Sequence, residues 1–419
     1  MLKSIINLNL SGRKLILLIQ VVFFFLAFTN AYSQPVWISQ NSGTTNSLYG
    51  VSFTDANNGT TVGPGGTIVR TTNGGTNWTS QISGATNDLS GVSFTNANTG
   101  TIVGYGGTIV RTTNGGTNWI PQTSGTTIYL YFVSFTDENN GTVVGSSGTI
   151  VRTTNGGSNW TSQTSGTTND LYFVSFTDEN NGTVVGRYGT ILRTTNGGTN
   201  WTSQSGTTNN LWSVSFTDEN NGTVVGRYGT ILRTTNGGTN WTSQTSGTTI
   251  LLYGVSFTDA NNGTAVGQFG NILRTTNGGT NWIPQTSGTT NTLFGVSFTS
   301  ADTGTAVGSS GTILRTTNGG VTFVNQISSE FPEGFSLFQN YPNPFNPTTN
   351  IRFDIPKSNH VKIIIYNALG KEVTTLVNEK LNAGSYEVDW DASDYPSGVY
   401  FYKLIADDYV SVKKMVLLK

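Results

Sequence analysis

The chain has no cysteine and a single histidine, His360, among its 419 residues. The first absence excludes a disulfide framework, thiolate metal ligands and an acylated N-terminal cysteine. The second removes histidine-centred metal sites and Ser-His or Cys-His catalysis from everything before residue 360. Lysine is missing from residue 15 to residue 356, charged residues make up 10% of the chain and the formal net charge is −1. Phosphate backbones are held by clustered Lys and Arg, so nucleic acid is excluded as a partner. Long apolar runs are also scarce: one extends from Leu15 to Phe28, short for a membrane span of about 20 residues. It follows Lys3, Arg13 and Lys14 and precedes Ala31-Tyr32-Ser33. Residues 1–33 therefore read as a signal peptide cleaved between Ser33 and Gln34, rather than as an uncleaved anchor, and no transmembrane span is expected after its removal.

What the chain has in quantity is glycine (53), phenylalanine (22), tyrosine (16) and tryptophan (9), a composition of turns and aromatics that points to all-β structure. The string Thr-Thr-Asn-Gly-Gly recurs with its Asn at positions 73, 114, 155, 196, 236, 277 and 318, a period of 41 residues that is once 40. Each unit predicts four short strands joined by Asn-Gly and Gly-Gly hairpins, whose glycines supply the positive φ angles of tight turns. Such a sheet is apolar on both faces and needs a neighbour on each, which seven sheets packed radially provide. The fold class expected is all-β, a seven-bladed β-propeller over residues 34–326. Two segments compete to complete the last blade: Trp37 begins an extra copy of the Trp strand, while the seventh repeat carries Phe323 where Trp is due. The N-terminal strand is preferred, because it latches the chain ends together.

Thr71-Thr72-Asn73-Gly74-Gly75-Thr76-Asn77-Trp78 resembles the Asp-box of BNR-type repeats, and the whole unit is similar to the propeller repeats of photosystem II assembly factors and of secreted bacterial propellers. The resemblance covers residues 36–326 and implies a structural hairpin between the third and fourth strands, with little bearing on activity.

Residues 327–334 read as a linker rich in Ser, Glu, Pro and Gly. Residues 335–419 have different chemistry, with Lys restored and alternating strands such as Ile351 to Ile355 and Val361 to Tyr366. About seven strands predict a small immunoglobulin-like β-sandwich. Four ordered motifs, Gln339 to Pro347, Ile365 to Gly370, Ser397 to Tyr402 and Lys413 to Lys419, resemble the type A C-terminal sorting domain of type IX secretion substrates. That resemblance implies an outer-membrane translocon and a sortase as partners, and a product that is secreted or attached to the outer-membrane surface. A generic immunoglobulin-like accessory domain is the alternative.

Sialidases also carry Asp-boxes, but their catalysis needs an acid, an arginine cluster and a tyrosine that differ between blades. Here the blades are near copies, and the acids Asp55, Asp137, Asp178, Asp218 and Asp259 recur at one turn, a placement unsuited to paired acid-base work. No enzymatic activity, cofactor or metal is expected. The Asp-x-Asn-Asn-Gly turn lacks the ligands for calcium and suits an Asx-turn. Arg70 and its six counterparts suggest either an anion-binding ring or local pairing with turn groups, the latter preferred. The loops that differ are the second-to-third turns and the connections between blades, which strand alternation places on one face. They carry Tyr105, Arg187, Tyr188, Trp212, Arg227, Tyr228 and Phe269, residue types that stack on sugars or anchor protein contacts. These are the candidate ligand-binding residues of a binding or adhesion module for a glycan or a surface protein; an assembly-factor role with one protein partner is the alternative. Neutral drift of exposed loops after duplication explains the same variation without any ligand.

Overall fold

A computed structural model describes residues 37–320, 324–328, 330–392 and 395–419. The expected signal segment, with Ser33 and Gln34, lies outside the described residues. In the first repeat the strands are Gly50–Phe53, Gly59–Val62, Ile68–Thr71 and Thr79–Ser80, all antiparallel, with Phe53 opposite Gly59 and Val62 opposite Ile68. The glycine at that register is required, because a Cβ on Gly59 would lie 2.2 Å from the Phe53 ring. The pattern repeats through sheets whose first strands begin at Leu89, Leu130, Leu171, Leu211, Leu252 and Leu293. These first strands adjoin one another in sequence and the last adjoins the first, which closes a seven-bladed β-propeller. The blades are numbered 1 to 7 in chain order below.

Apolar side chains fill the spaces between blades rather than a common centre. Val62 and Ile68 of blade 1 pack with Leu89, Val92, Ile102, Val110 and Trp119 of blade 2, each contributing about 1.5–3 kcal/mol on burial. Three polar contacts then repeat at each seam. A serine of each first strand accepts the Phe N–H of the next, as in Phe94 N–H to Ser52 Oγ (3.1 Å), and the circuit ends with Phe53 N–H to Ser297 Oγ (3.2 Å). A glutamine at or just after the fourth strand donates to a glycine carbonyl of the next blade, as in Gln122 to Gly156 O (3.1 Å), and accepts from a tryptophan such as Trp160 Nε1 (3.2 Å), except at the seam of blades 1 and 2, where Gln81 Oε1 and Trp119 Nε1 do not meet.

The third contact belongs to the repeated arginine. Arg111 is buried, donates to Thr101 Oγ1 (2.9 Å) in its own blade and to Glu138 O (2.5 Å) in the next, and lies 4.9 Å from the centroid of Phe135. Arg315 makes the same bridge across the closing seam, to Ala56 O (2.5 Å) and over Phe53 (4.9 Å). The arginines are thus bolts between blades, with backbone carbonyls of the neighbouring blade as partners, and they form no open ring for an anion.

The closing strand is N-terminal. Ile38–Gln40 pairs with Ile313–Thr316, Ile38 opposite Arg315. Trp37, 2% exposed, donates to Gln285 Oε1 (3.1 Å) and meets Phe298 edge-on at 5.9 Å, the places held by Trp160, Gln122 and Phe135 at another seam. The competing segment, Val324–Ser328, pairs instead with Gly384–Asp391. Strand pairing of the C-terminal sandwich therefore starts three residues before the expected boundary after Gln326, because its edge takes the strand that the propeller does not use.

That sandwich has two four-stranded sheets. One orders Val324–Ser328, Gly384–Asp391, Thr348–Ile355 and Ser336–Leu337; the other orders Glu372–Leu381, Asn359–Asn367, Gly398–Ala406 and Tyr409–Leu417. Alternation buries Ile351, Phe353 and Ile355 against Val361, Ile363, Ile365, Tyr402 and Leu404. The segment around Asn340 is pinned to this core: Asn340 is 2% exposed, donates to Thr349 Oγ1 (2.8 Å), and its N–H is received by Tyr402 Oη (2.8 Å). The Tyr402 hydroxyl in turn donates to Phe338 O (2.7 Å), and burial pushes its pKa up to about 12.

Candidate binding face

One rim of the propeller carries the first-to-second and third-to-fourth strand turns. Asp55 Oδ1 accepts from the N–H groups of Asn57 (2.7 Å) and Asn58 (2.9 Å), and Oδ2 from the Asn58 amide (2.9 Å). Asp137 makes the same set. Hydrogen bonds from the Asn58 and Asn140 side chains, opposed by desolvation and aided by backbone N–H groups, hold both carboxyls below the usual carboxylate range. In the other turn Thr71 Oγ1 accepts from Gly75 N–H (2.8 Å) and Asn73 Oδ1 from Asn77 N–H (3.0 Å). The repeated polar residues of this rim are engaged in building turns.

The opposite rim carries the second-to-third turns and the connections between blades, fastened to each other by bonds such as Arg187 N–H to Asp170 O and Arg227 N–H to Asn210 O, both 2.9 Å. Each turn has two successive residues in the left-handed region. The second is always Gly, at Gly66, Gly107, Gly148, Gly189, Gly229, Gly270 and Gly311; a Cβ on Gly107 would stand 1.9 Å from Thr126 O. The first is Gly65, Gly106, Ser147, Tyr188, Tyr228, Phe269 or Ser310, at φ between 55° and 70°. A Cβ at Gly65 meets nothing within 4 Å, so this position tolerates any side chain that accepts a left-handed backbone, at about 1–2 kcal/mol for an L-residue.

Three of the candidate residues, Tyr188, Tyr228 and Phe269, occupy that position in blades 4, 5 and 6 and are 61%, 57% and 69% exposed. Arg187 and Arg227 precede two of them, with guanidinium carbons 4.7 Å and 4.6 Å from the Tyr188 and Tyr228 ring centroids. The two pairs differ electrostatically. Arg187 has an ion pair with Asp170 (4.0 Å), whereas Asn210 stands in the corresponding place before blade 5 and Arg227 makes no ion pair among the described residues.

Trp212 sits apart from these turns, in a collar of aromatic rings contributed by the starts of the first strands. Trp212 stacks on Tyr172 (4.5 Å, 23°) and tilts against Tyr253 (5.7 Å); Tyr253 meets Phe294 (5.5 Å) and Phe294 meets Tyr49 (5.6 Å). On the other side Tyr172 meets Tyr131 (5.3 Å), which stacks on Tyr129 (4.7 Å). Trp212 is half-buried, and its Nε1 is buried without a hydrogen-bond partner. Tyr105, 58% exposed, touches the collar through Tyr129 (5.6 Å). Sequence reasoning passed over Tyr129 as a collar member. Blade 2 has Ser90 where the other blades have an aromatic, and the Tyr129 hydroxyl lies 2.6 Å from Ser90 Oγ, filling the gap. The signal was a serine at an otherwise aromatic position with a new tyrosine in the following connection.

Among the described residues no helix is long and apolar enough to cross a membrane, and no cluster of three or more His, Asp or Glu side chains could hold a metal ion. Residues 339–418 match the family described as secretion system C-terminal sorting domain, the tail of type IX secretion substrates. No curated protein matches the chain. Similar solved structures include YCF48 bound to D1 peptide, 21% identical with a TM-score of 0.59 over 69% of this chain and 97% of that one. Another is YCF48 from Cyanidioschyzon merolae, 23% identical, TM-score 0.58, over 67% and 98%. The WD40 β-propeller domain of Doa1 is 12% identical, TM-score 0.57, over 67% and 95%. At these identities the likenesses establish the propeller fold. The repeats at residues 29–124, 121–205 and 204–284, together more than half of the sequence, match the model described as photosynthesis system II assembly factor YCF48, and the chain belongs to that family.

Proposed function

We propose that the chain is an exported binding module whose variable rim engages a glycan on or near the cell surface, and that the sorting domain delivers it there through the type IX translocon and its sortase. The observation that carries this reading is the set of exposed aromatics in blades 4 to 6, held at left-handed backbone positions and, in two cases, preceded by a stacked arginine. Solvent-facing rings at a backbone conformation that disfavours them are not maintained by the fold, and Tyr with Arg is the pairing that anchors ligands in interfaces. A non-catalytic role is supported by the turn carboxylates, which are held ionised by turn hydrogen bonds rather than poised as proton donors.

A glycan array probed with the chain from Gln34 onward, beside the fourfold variant Arg187→Ala, Tyr188→Ala, Arg227→Ala, Tyr228→Ala, tests the proposal. Specific binding that disappears in the variant is the expected result. Binding of equal strength by the variant moves the site off these turns. A second reading is favoured by one comparison: a similar propeller is known bound to a peptide. On that reading this chain holds one protein partner, no glycan is retained, and a single surface protein is captured by the parent and lost by the variant.

A further inference from the structure

One connection between blades differs from the other six. Six connections place a buried serine (Ser42, Ser83, Ser124, Ser165, Ser246 and Ser287) four residues before the asparagine or isoleucine that leads into the next blade, and its hydroxyl ties the loop, as in Ser165 Oγ to Thr167 O (3.1 Å). Between blades 4 and 5 the chain runs Gln204-Ser205-Gly206, one residue short, and Ser205 is exposed. The shortened loop is drawn in over blade 5, where a Cβ on Gly206 would lie 2.8 Å from Leu232 Cδ1. The seam is slackened too: Gln204 Nε2 is 3.4 Å from Gly237 O, against 3.1 Å for Gln122 to Gly156 and 2.9 Å for Gln244 to Gly278.

A cavity of about 790 Å³ opens at this place, between the shortened connection, the Tyr228–Thr230 turn and the following connection. That volume falls among those of small-ligand sites. No charged residue lines it; threonine, serine and amide groups dominate, with Tyr228, Leu232 and Ile250 as its apolar surface. Ser243, Thr245 and Thr249 line it and are exposed. Uncharged donors and acceptors around one aromatic ring match the alternating hydroxyl and C–H surfaces of a sugar ring; Arg227, which stacks on the Tyr228 ring (4.6 Å), is not among the lining residues.

We propose that this cavity is a single subsite for one neutral saccharide ring, created by the missing residue and built around Tyr228, so that the propeller binds its ligand at blade 5 and not equivalently around the rim. The inference rests on the glycan reading above and narrows it. Blade 2 supplies a clean control, since Gly106 fills the position of Tyr228 there.

Saturation-transfer NMR on the chain from Gln34 onward, with the methyl glycosides of glucose, galactose, mannose and N-acetylglucosamine as probes, tests it. Two variants are needed: a threonine inserted between Gln204 and Ser205, which restores the connection of the other blades, and Tyr228→Gly. The parent is expected to show transfer to at least one glycoside, reduced at least tenfold in each variant, with melting temperatures within a few degrees of the parent. Undiminished transfer in both variants overturns the blade 5 site while leaving a glycan-binding rim in place. No transfer to any glycoside in the parent, together with an empty glycan array, overturns both readings. If the insertion variant fails to fold, Tyr228→Gly decides alone, because glycine is native to that backbone position in blade 2.

Discussion

The two rims of the propeller are built from the same repeat and obey different constraints. On the constant rim nearly every repeated polar side chain holds something: Asp55 and Asp137 shape their own turns, while Arg70 and Arg111 cross to the carbonyl of the next blade. A change there breaks a turn or a seam. On the variable rim the first left-handed residue of the turn has room for a side chain, since a Cβ at Gly65 meets nothing within 4 Å and one at Gly106 meets only the Asn87 amide, at 3.4 Å, and the chain places Gly, Ser, Tyr or Phe there. Variation marks where the surrounding backbone leaves room for different side chains, so it does not by itself mark a site. What distinguishes blades 4 to 6 is variation that is disfavoured, a bulky ring on a left-handed backbone with its surface in water.

The comparison is broken most severely at the closing seam, where one side chain from the chain's N-terminal part stands in for the seventh repeat. Trp37→Ala is expected to destabilise the propeller by about 3–5 kcal/mol, the usual range for a buried large aromatic, and to uncouple the two ends of the ring. Urea unfolding of the parent and variant followed by tryptophan fluorescence measures this. A loss under 1 kcal/mol would mean that Ile38–Gln40 does not hold blade 7 closed.

Next in size is a constant-rim bolt. Arg111→Ala removes two hydrogen bonds, one ring contact and a buried aliphatic stem, and leaves Glu138 O without its partner. The expected loss is about 2–4 kcal/mol. Arg187→Ala, on a 47% exposed side chain with an ion pair at 4.0 Å, is expected to change stability by less than about 0.5 kcal/mol. Equal losses for the two arginines would erase the distinction between the rims.

Acid sharpens the same comparison. Asp55 and Asp137 have folded-state pKa values lowered by their turn hydrogen bonds, so the stability they contribute is complete above the unfolded carboxylate pKa and is lost as pH falls through the folded one. Thermal melts taken downward from pH 6 are expected to show the propeller weakening once pH passes below about 4, the ordinary Asp value. Replacing the two aspartates by Asn, which keeps an acceptor for the turn N–H groups, should flatten that decline. An unchanged profile in the double variant would show that other groups govern acid sensitivity.

Repeat number, blade order and the existence of a separate C-terminal sandwich were legible because each rests on a local pattern: a 41-residue period, Asn-Gly and Gly-Gly turns, and the return of Lys with alternating strands. The preference for the N-terminal strand rested on a different argument, that it latches the chain ends together, because Trp37 and the segment from Val321 to Gln326 both carry the strand pattern. The bridging arginine was half legible. Its sequence neighbours gave no hint that its partner is a carbonyl 27 residues away in the next blade, as for Arg111 and Glu138, because that contact exists only after radial packing. The aromatic collar and the blade 5 cavity were hidden for a related reason. Both arise from positions that are distant within one repeat and adjacent across two, and the cavity follows from a residue that is missing. The spacing of 40 was visible in the sequence; what it does to Gly206 and Leu232 required coordinates.

A small expected effect on stability is also the most discriminating between drift and use. Tyr188→Gly exchanges a ring that is 61% exposed at φ 55° for the residue found at the same place in blades 1 and 2. Relief of the left-handed tyrosine favours the folded state by about 1–2 kcal/mol, and the greater freedom of glycine in the unfolded chain opposes it by about 0.5–1 kcal/mol. The net is expected within about 1 kcal/mol of zero and on the stabilising side, read from the same urea titrations. A protein that becomes slightly more stable when Tyr188 is removed, and that at the same time binds its glycan less well, has kept the tyrosine against its own stability. If stability rises and binding is unchanged, blade 4 has drifted and the ligand is held elsewhere on the rim.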